Sequence, residues 1–221
     1  MNVVEGPARP LPSTRSAARA KRLLDVTLGA VLLVAAAPLL ALAALAMALE
    51  MLLRPSDRGR FLYRERRVSA GREFDLLKLR TLREHALARM EEPGGHARPL
   101  EADAANLTWA GRRLLKPWYL DELPQLVNVL RGEMSLVGPR PWPPSLVARQ
   151  LARGVDYRLR VPAGWTGPAQ VAKGTEAVFE ELDLAYAALY EHGSAWQLVR
   201  TDLRVLRRTV GTLLRGEGLR F

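Results

Sequence analysis

One long run of apolar residues dominates the hydrophobicity pattern of the chain. From Val26 to Leu49 the sequence VTLGAVLLVAAAPLLALAALAMAL contains no charged residue. The run is about 24 residues long, and a helix needs roughly 20 apolar residues to cross a bilayer core. A cleaved signal peptide fits poorly, because the run is too long and begins about 25 residues into the chain. The pattern therefore predicts a membrane helix.

Two features of this segment bear on its topology. Pro38 lies near its middle and removes a backbone hydrogen bond, so a kink or break is expected there. Basic residues flank the run on both sides, and a positive flank favours the cytoplasm. They are Arg15, Arg19, Lys21 and Arg22 before it and Arg54, Arg58, Arg60, Arg64, Arg66 and Arg67 after it. Two arrangements fit: a helix that breaks at Pro38 and returns to the same face, and a single kinked crossing.

The remaining sequence divides around this segment. The patterns predict a disordered basic arm at residues 1–18, a membrane anchor at 19–54 and one further domain at 55–221. Within that domain, Arg60 to Leu79 has the alternation of two short strands around a Ser69-Ala70-Gly71 turn. The polar stretch from His85 to Asn106 is predicted to be a mobile loop, or a short helix followed by a loop.

A helical pattern follows Leu120. Asp121 is a suitable N-cap for a helix with the sequence ELPQLVNVL, Pro124 fits its first turn, and Gly132 ends it. The apolar residues expected to share its buried face are Leu123, Leu126, Val127 and Leu130. With the strands, these patterns predict a mostly helical α/β fold with short strands.

The last predicted helix, Leu198 to Leu214, is amphipathic. Its apolar side is predicted to contain Val199, Leu203, Leu206, Val210 and Leu213, and its arginines, mostly elsewhere, are Arg200, Arg204, Arg207 and Arg208. Two places fit such a helix: the surface of an anionic bilayer, or the body of the domain with the basic face in solvent.

Composition narrows the chemistry. The 221 residues include no Cys and three His, which excludes disulfides, thiolate metal sites and a cysteine nucleophile and disfavours a His-based metal centre. The net charge of +10 fits an anionic partner: nucleic acid, an anionic membrane surface or a phosphorylated small molecule. Neither a P-loop nor a GxGxxG motif is present, which argues against ordinary NTPase and dinucleotide folds. Catalysis must rest on carboxylates, hydroxyls and cationic groups.

Asp121 and Glu122 are the clearest candidates for that chemistry. Adjacent carboxylates at a helix N-terminus are expected to be ionised, because the helix dipole and the free N–H groups favour negative charge. An ionised carboxylate can attack phosphorus and form an acyl phosphate, and a neighbouring carboxylate can help to hold Mg²⁺ together with substrate phosphate oxygens. The alternative for such a pair is a helix cap beside a solvated acid.

Three cationic residues are candidates for phosphate binding. Arg140 lies between Pro139 and Pro141, so its restrained backbone can aim the guanidinium at a phosphate. The alternative is a structural arginine that bonds loop carbonyls. Lys78 and Arg80, two residues apart on the second predicted strand, are expected to place two cations on one strand face, or to be ordinary surface charges.

The combination of these features resembles a known family. The segment LDELPQLVNVLRGEMSLVGPRP, residues 120–141, closely resembles the signature of the bacterial sugar transferases, the monotopic phosphoglycosyl transferases that start glycan assembly on a polyprenol carrier. The resemblance runs in order over residues 19–212. It includes KRLLD at Lys21 to Asp25, the apolar helix with Pro38, FDLLKLRT at Phe74 to Thr81, GWTGPAQV at Gly164 to Val171, and Asp183 and Tyr186.

The resemblance implies a fold, a reaction and a location. A re-entrant membrane helix, broken at Pro38, would anchor a small α/β catalytic domain with interfacial amphipathic helices on the cytoplasmic face of the bacterial inner membrane. The implied reaction moves a sugar-1-phosphate from a nucleotide sugar, usually a UDP-sugar, to undecaprenyl phosphate and releases UMP. This reaction starts exopolysaccharide, capsule or lipopolysaccharide assembly, so downstream glycosyltransferases are further implied partners.

The resemblance also implies roles for individual residues. Asp121 matches the nucleophile that holds a covalent phosphosugar, and Glu122 matches the partner that supports Mg²⁺ binding and the second transfer. Arg140, with Pro139 and Pro141, matches the turn associated with substrate phosphate and uridine binding. The other implied substrate-binding residues are Lys78, Arg80, Gln170 and Asp183.

Several positions depart from the family pattern. Tyr119 replaces the usual Ser two residues before the carboxylate pair, Ala163 replaces a Pro, and Ala37 replaces the usual Ser before the helix proline. Two longer stretches also differ and are compatible with an altered sugar or weaker activity: residues 102–111 and Lys173 to Glu176. The carboxylate pair and the arginine turn are intact.

Two other classes of function are alternative hypotheses. The first is a catalytically weak, membrane-anchored scaffold that binds polyprenol phosphate or partner transferases, although a pure scaffold has no need for both carboxylates. The second is nucleic-acid binding, which predicts aromatic residues interleaved with a basic stripe. The 6% aromatic content and the membrane segment give it little support, so no nucleic acid is expected as a partner.

Overall fold

The computed structural model describes residues 15–90, 97–172 and 178–214. Its helices are α1 (Arg15–Leu53), α2 (Glu84–Met90), α3 (Ala97–Ala102), α4 (Gln125–Arg131), α5 (Pro144–Ala152), α6 (Tyr157–Arg160), α7 (Pro168–Val171), α8 (Phe179–His192) and α9 (Ala195–Leu214). Its strands are β1 (Leu62–Ser69), β2 (Arg72–Leu79), β3 (Ser135–Val137) and β4 (Gly164–Thr166). Short 3₁₀ turns lie at Pro55–Asp57, Ala104–Asn106 and Leu120–Glu122, and a π-helical turn lies at Gly111–Leu115. The predicted mostly helical fold with short strands is confirmed.

Helix α1 confirms the predicted apolar helix and extends it at both ends. It is long and apolar enough to cross a membrane, and only 17% of its most apolar stretch is buried within the protein. Pro38 lies inside the helix, which continues through it, so the predicted break is not an end of the helix. A proline removes only one bond of the helical ladder, and the flanking bonds sustain the helix. Residues 15–18, predicted to be disordered, begin α1, and residues 1–14 lie outside the described residues.

The chain forms two compact units. The first comprises the described residues up to Val31, Arg66–Asp75 and the described residues from Leu126 on. The second comprises Leu32–Glu65 and Leu76–Gln125. Helix α1 and the β1–β2 hairpin each contribute residues to both units. The predicted division at residues 18 and 54 remains a prediction.

The start of α1 is bonded into the first unit. The ammonium of Lys21 lies 2.6 Å from the carboxylate of Asp202, and an oxygen of Asp25 accepts the hydroxyl of Ser135 at 2.9 Å. Lys21 is only 3% exposed, although the sequence places it among the basic residues that flank the membrane segment. Its charge is therefore neutralised inside the protein.

A parallel pair of strands organises the first unit. In β3 and β4, Ser135 pairs with Gly164 and Val137 pairs with Thr166. The strands approach so closely that a Cβ at Gly164 would lie 2.1 Å from the backbone nitrogen of Gly138. Glycine is therefore required at this contact, which holds the start of the Gly138–Pro141 turn beside β4.

Two buried clusters form the core of the second unit. One contains Tyr63, Leu82, Ala86, Leu87, Leu100 and Leu107, and the other contains Ala43, Met47, Leu79, Ala110 and Leu115. The second cluster joins the later half of α1 to the end of β2 and to the chain just before Asp121.

The predicted hairpin is confirmed and the predicted loop is corrected. Strands β1 and β2 pair, and Ala70 and Gly71 form their turn with positive φ angles of 45° and 73°. Within His85 to Asn106, the described parts form α2, α3 and a 3₁₀ turn, because their apolar side chains join a buried cluster. This corrects the mobile loop and agrees with the alternative prediction of a short helix. Residues 91–96 lie outside the described residues.

The helix predicted to start at Asp121 starts later. Tyr119 adopts a left-handed conformation, with φ 53° and ψ 24°, and opens the 3₁₀ turn that contains Asp121. The N–H of Glu122 bonds the carbonyl of Tyr119 at 3.2 Å, so the turn is closed by its own backbone. Helix α4 begins only at Gln125. Gly132, with φ 77°, ends it as predicted.

The buried face of α4 also differs from the predicted one. It contains Leu126, Val129 and the polar Asn128, whose amide donates to the carbonyl of Asp75 at 2.8 Å. The residues predicted for this face that are only partly buried are Leu123, Val127 and Leu130. A buried hydrogen bond therefore rotates the face away from the apolar pattern.

The buried side of helix α9 is not the apolar side that the sequence pattern predicts. Its buried residues include Leu198, Asp202 and Val205, whereas Leu203 and Val210 of the predicted apolar side are exposed. Of the other predicted residues, Val199 and Leu206 are partly buried, and the side chain of Leu213 lies outside the described residues. The helix is thus part of the domain and keeps an exposed apolar stripe, and its place at a bilayer surface remains a prediction.

Candidate active site

Asp121 lies in the second unit, in the 3₁₀ turn that precedes α4. It is only 5% exposed. Burial and, next, the charge of Glu122 raise the pKa of Asp121 to about 7, although the ammonium groups of Lys78 and Lys116 act in the opposite direction. The expectation that both carboxylates are fully ionised is therefore wrong for Asp121. The residue is not at an α-helix N-terminus, and removal of water outweighs the neighbouring cations.

Lys78 is one of the two cations near this carboxylate. It is buried at the end of β2, and its ammonium lies 3.7 Å from the carboxylate of Glu65. Tyr63 donates its hydroxyl to the same carboxylate at 3.0 Å, and burial raises the pKa of that hydroxyl well above its ordinary value. Lys78 thus lies close enough to act on the Asp121 carboxyl through its charge, and its role in substrate binding stays a prediction.

Lys116 is the second cation and was not predicted. Its ammonium lies 2.6 Å from the carboxylate of Glu101, which also accepts the hydroxyl of Thr81 at 3.2 Å. The one available signal was composition, because lysine is rare in this arginine-rich chain. A carboxylate pair with a lysine on each of two separate elements can bind and polarise a phosphate group.

Arg80 has a structural role instead of the predicted substrate contact. It is 1% exposed, and its guanidinium donates to the backbone carbonyls of Arg60 at 2.7 Å, Leu82 at 3.2 Å and Asp57 at 2.6 Å. Arg80 follows the last residue of β2 and bonds three backbone carbonyls of the surrounding chain. It therefore cannot share a strand face with Lys78 as a second phosphate ligand.

The arginine turn lies in the first unit. The carbonyl of Pro139 accepts the N–H of Gly164 at 2.9 Å, which fixes the turn to β4. The carbonyl of Arg140 accepts a hydrogen bond from the guanidinium of Arg158. The Arg140 side chain is exposed, whereas Pro141 is partly buried. The backbone is thus held from two sides while the cationic side chain faces solvent.

Asp183 supports this turn through Arg158. Its carboxylate lies 3.1 Å from the guanidinium of Arg158 and accepts the hydroxyl of Tyr157 at 3.1 Å. Arg158 also stacks over the ring of Trp142 at 4.0 Å. Burial raises the pKa of Asp183 and lowers the pKa of Arg158, although their mutual attraction opposes both effects. Asp183, predicted to bind substrate, is therefore placed to hold Arg158, a residue that sequence reasoning missed.

Gln170 lies on α7 and is partly buried. Its amide nitrogen donates to the carbonyl of Trp165 at 3.4 Å, so the side chain is tied to β4. Its role in substrate binding stays a prediction. The structure thus groups the predicted site residues within each unit: Lys78 with the carboxylate pair in the second, and Asp183 with the arginine turn in the first.

The donor set around Asp121 fits a magnesium ion that also binds substrate. Within the described residues, no group of three His, Cys, Asp or Glu side chains is arranged to hold a metal ion. Asp121 and Glu122 are adjacent carboxylates whose mutual repulsion contributes to the raised pKa of Asp121, and a cation relieves such repulsion. Mg²⁺ commonly binds one or two carboxylates and completes its shell with substrate phosphates and water.

The metal-free protein is expected to lose stability as the pH rises, through Asp121. The carboxyl has an ordinary pKa of 3.8 and a pKa of about 7 in the fold. Its proton therefore stabilises the folded state fully below about pH 4, and this contribution is lost as the pH rises through about 7. Asp121→Asn lacks this loss, so in EDTA near pH 8 its Tm should exceed that of the wild type by about 5 °C.

The difference is measured by thermal unfolding of both detergent-solubilised proteins at about pH 5, between the two pKa values, and at about pH 8, above both. The wild type alone should show the additional decrease. Parallel pH dependence of the two Tm values would contradict a raised pKa of Asp121.

A buried aspartate beside a partly buried glutamate, with two lysines acting on its charge, has the features of an enzyme that transfers phosphorylated groups. Among the described residues, one helix is long and apolar enough for membrane association. The chain belongs to the bacterial sugar transferase family, whose sequence model matches residues 16–216. This confirms the resemblance of the 120–141 segment and makes the protein an enzyme of that family.

Named relatives agree. The chain is 41% identical over 214 residues to the UDP-glucose:undecaprenyl-phosphate glucose-1-phosphate transferase of Caulobacter vibrioides, which covers 94% of this chain and 74% of the relative. It is 34% identical over 198 residues to the undecaprenyl-phosphate glucose phosphotransferase of Komagataeibacter xylinus, covering 86% of this chain and 35% of the relative. It is 32% identical over 212 residues to the exopolysaccharide production protein ExoY of Sinorhizobium fredii, covering 90% and 87%.

Proposed function

We propose that the protein transfers a sugar-1-phosphate from a UDP-sugar to undecaprenyl phosphate and releases UMP. The observation on which this rests most is the buried Asp121, next to the partly buried Glu122, with Lys78 and Lys116 close enough to act on its charge. The names of the relatives supply the substrate classes, and exopolysaccharide production is the process named for one of them. The lipid-linked sugar could equally be used in capsule or lipopolysaccharide assembly. In each case downstream glycosyltransferases would extend it.

The proposed first step uses the carboxylate of Asp121 as nucleophile. One carboxylate oxygen attacks the phosphorus that bears the sugar, the bond from that phosphorus to the UMP oxygen breaks, and UMP leaves with the bonding electron pair. An aspartyl phosphosugar remains. Lys78 and Lys116 favour the ionised nucleophile, since both lower the pKa of Asp121. In the second step an oxygen of undecaprenyl phosphate attacks the same phosphorus and releases the carboxylate.

Arg140 and Glu122 have further roles in this scheme. Arg140 binds the substrate phosphate and uridine portion, with its backbone held by Arg158. Glu122, with Asp121, holds Mg²⁺. When bound, the ion neutralises phosphate charge in the transferring group. The charge of Glu122 contributes to the raised pKa of Asp121, and a cation between the two carboxylates would relieve this repulsion.

We also propose that both ends of α1 face the cytoplasm at the inner membrane. Within the first unit, Lys21 bonds Asp202, and within the second unit, Glu50 bonds the backbone of Trp109. Both partners follow the apolar segment in the sequence. One membrane segment leaves all later residues on one side, so each end of α1 has its bonding partner on that side.

Single cysteines test this topology, since the natural chain has none. Ser16→Cys and Ser56→Cys place exposed thiols at the two ends of α1. Both should resist an impermeant maleimide in spheroplasts and react after permeabilisation. Labelling of one position alone in intact spheroplasts would establish a single crossing.

Arg140→Lys is expected to raise KM for the nucleotide sugar about tenfold, with little change in stability. A lysine keeps the charge but loses the planar bidentate donor, and one good charged contact is worth about 1.5–3 kcal/mol. Steady-state UMP release measures the change, with Arg149→Lys on an exposed position of α5 as a matched control. An unchanged KM would remove Arg140 from the donor site.

The proposed function is tested by UMP release from purified protein with undecaprenyl phosphate, Mg²⁺ and a panel of UDP-sugars. Release that requires one UDP-sugar and is lost in Asp121→Asn would support both the reaction and the nucleophile. No release across the panel, with lipid binding retained, would favour the scaffold hypothesis.

A further inference from the structure

A buried carboxylate lies near the end of the apolar helix α1. Glu50 is only 7% exposed, although it belongs to the long apolar helix α1. Its two oxygens accept backbone hydrogen bonds, one from Trp109 at 2.5 Å and one from Ala110 at 2.9 Å. The reaction proposed above does not use this carboxylate, so its burial needs a separate explanation.

The two N–H groups belong to the first turn of the helical segment that leads to Asp121. Such groups have no partner within their own helix and need an external acceptor. The next amide, of Gly111, bonds the hydroxyl of Thr108 at 2.9 Å. Thr108 is a local cap of the usual kind, whereas Glu50 is a cap supplied from 59 residues away.

The same face of α1 packs along this segment. Ala43 and Met47 lie about two turns and one turn before Glu50 and share its face. They form a buried cluster with Leu79, Ala110 and Leu115, bordered by the partly buried Leu40, Met51, Leu114 and Leu120. The opposite side of α1 is exposed at Leu45, Leu49 and Leu52. One side of the helix is therefore exposed, and the other packs against the segment that leads to Asp121.

The segment also packs closely against the chain that follows β2. A Cβ at Gly111 would lie 2.4 Å from the carbonyl oxygen of Thr81, so the backbones touch at this point. The following turn is π-helical, a rare conformation that is frequent at functional sites. Because the packing here is close, a movement of the Trp109–Ala110 end would also move the residues that follow it in the segment.

Backbone hydrogen bonds continue from this turn to the carboxylate pair. Lys116 donates to Gly111 at 3.1 Å, Tyr119 donates to Lys116 at 3.2 Å, and Glu122 donates to Tyr119 at 3.2 Å. The cation of Lys116, which lowers the pKa of Asp121, lies on this path. The positions of the nucleophile and of its cation thus both depend on the segment that Glu50 caps.

We propose that Glu50 is a positioning residue: it fixes the segment 109–122 to the membrane helix and so sets the place of Lys116 and Asp121. The kinetic part of this inference rests on the proposed function. The carboxylate acts through the Trp109 and Ala110 amides and does not touch substrate.

Kinetics of UMP release test the role. Glu50→Ala removes both acceptors, and Glu50→Gln keeps one carbonyl acceptor. The matched control is Leu52→Ala, which shortens a 69% exposed side chain of the same helix turn. Per folded enzyme, Glu50→Ala should lower kcat about 10- to 100-fold with KM for the UDP-sugar within about threefold, because misplacing a catalytic group by about 1 Å costs up to about 100-fold. Glu50→Gln should be intermediate and Leu52→Ala close to wild type.

Hydrogen exchange supplies a readout that needs no turnover. Glu50→Ala should accelerate amide exchange from residue 109 through to residue 122, and Leu52→Ala should not. Wild-type kcat in folded Glu50→Ala, or faster exchange confined to 109–111, would overturn the inference. If Glu50→Ala does not fold, the kinetics of UMP release and the hydrogen exchange are both measured on Glu50→Gln. If the wild type itself releases no UMP, the proposed function fails, and exchange alone decides the role of Glu50.

Discussion

Replacement of Asp121 by asparagine is expected to reduce UMP release by at least about three orders of magnitude, because an amide cannot replace a carboxylate nucleophile. The exchange is nearly isosteric. It also removes a carboxyl whose pKa is raised to about 7 mainly by burial, so the variant should fold at least as well as the wild type. The loss should therefore lie in kcat, measured by steady-state UMP release, and not in the amount of folded protein.

Asp103→Asn is the matched control for this substitution. The side chain of Asp103 caps a 3₁₀ turn in the same unit by accepting the N–H of Ala105 at 2.9 Å, and asparagine caps equally well. Its activity should equal that of the wild type. Retention of more than about a tenth of the activity in Asp121→Asn would exclude Asp121 as the nucleophile, since such a loss is worth only about 1.4 kcal/mol.

Replacement of Lys21 by methionine is expected to cost about 3–5 kcal/mol of stability, because it leaves a buried charge without its partner. The ammonium lies 2.6 Å from Asp202, a fully buried residue, and 3.0 Å from the hydroxyl of Tyr186. Burial raises the pKa of Asp202, and Lys21 opposes that increase. Denaturant unfolding in detergent measures the loss.

A second substitution separates charge from packing in this network. Adding Asp202→Asn to Lys21→Met removes the unpaired charge and should restore part of the stability. Arg19→Met, an exposed position on the same helix, should change stability by less than about 0.5 kcal/mol. Two results would contradict a stabilising Lys21–Asp202 ion pair. One is a stability loss below about 1 kcal/mol in Lys21→Met, and the other is a further loss of stability in the double variant.

Local patterns in the sequence were sufficient for several elements. The apolar run from Val26 predicted α1, the Ala70-Gly71 turn predicted the hairpin, and Gly132 predicted the end of α4. Each depends on interactions between residues that are near one another in the chain, such as helical periodicity or a positive φ angle. The 120–141 segment identified the family for the same reason, because its signature is continuous.

Contacts between distant residues account for what the sequence did not predict. The burial that raises the pKa of Asp121 depends on the packing of β2 and α1 around its turn, which no spacing along the chain specifies. Arg158 bonds the arginine turn directly and is itself held by Asp183, 25 residues later. The buried side of α9 includes Asp202, whose burial depends on Lys21. A hydrophobicity pattern assigns a charged residue such as Asp202 to solvent. The pattern therefore predicted the wrong buried face for α9.

Intact-protein and peptide mass spectrometry tests the covalent role of Asp121 most directly. The wild-type enzyme is mixed with its UDP-sugar and Mg²⁺ in the absence of undecaprenyl phosphate and quenched rapidly in acid. We expect one phosphosugar adduct on the peptide that contains Asp121, absent in Asp121→Asn and lost on addition of undecaprenyl phosphate. UMP release without any adduct, or an adduct that persists in Asp121→Asn, would contradict the proposed mechanism.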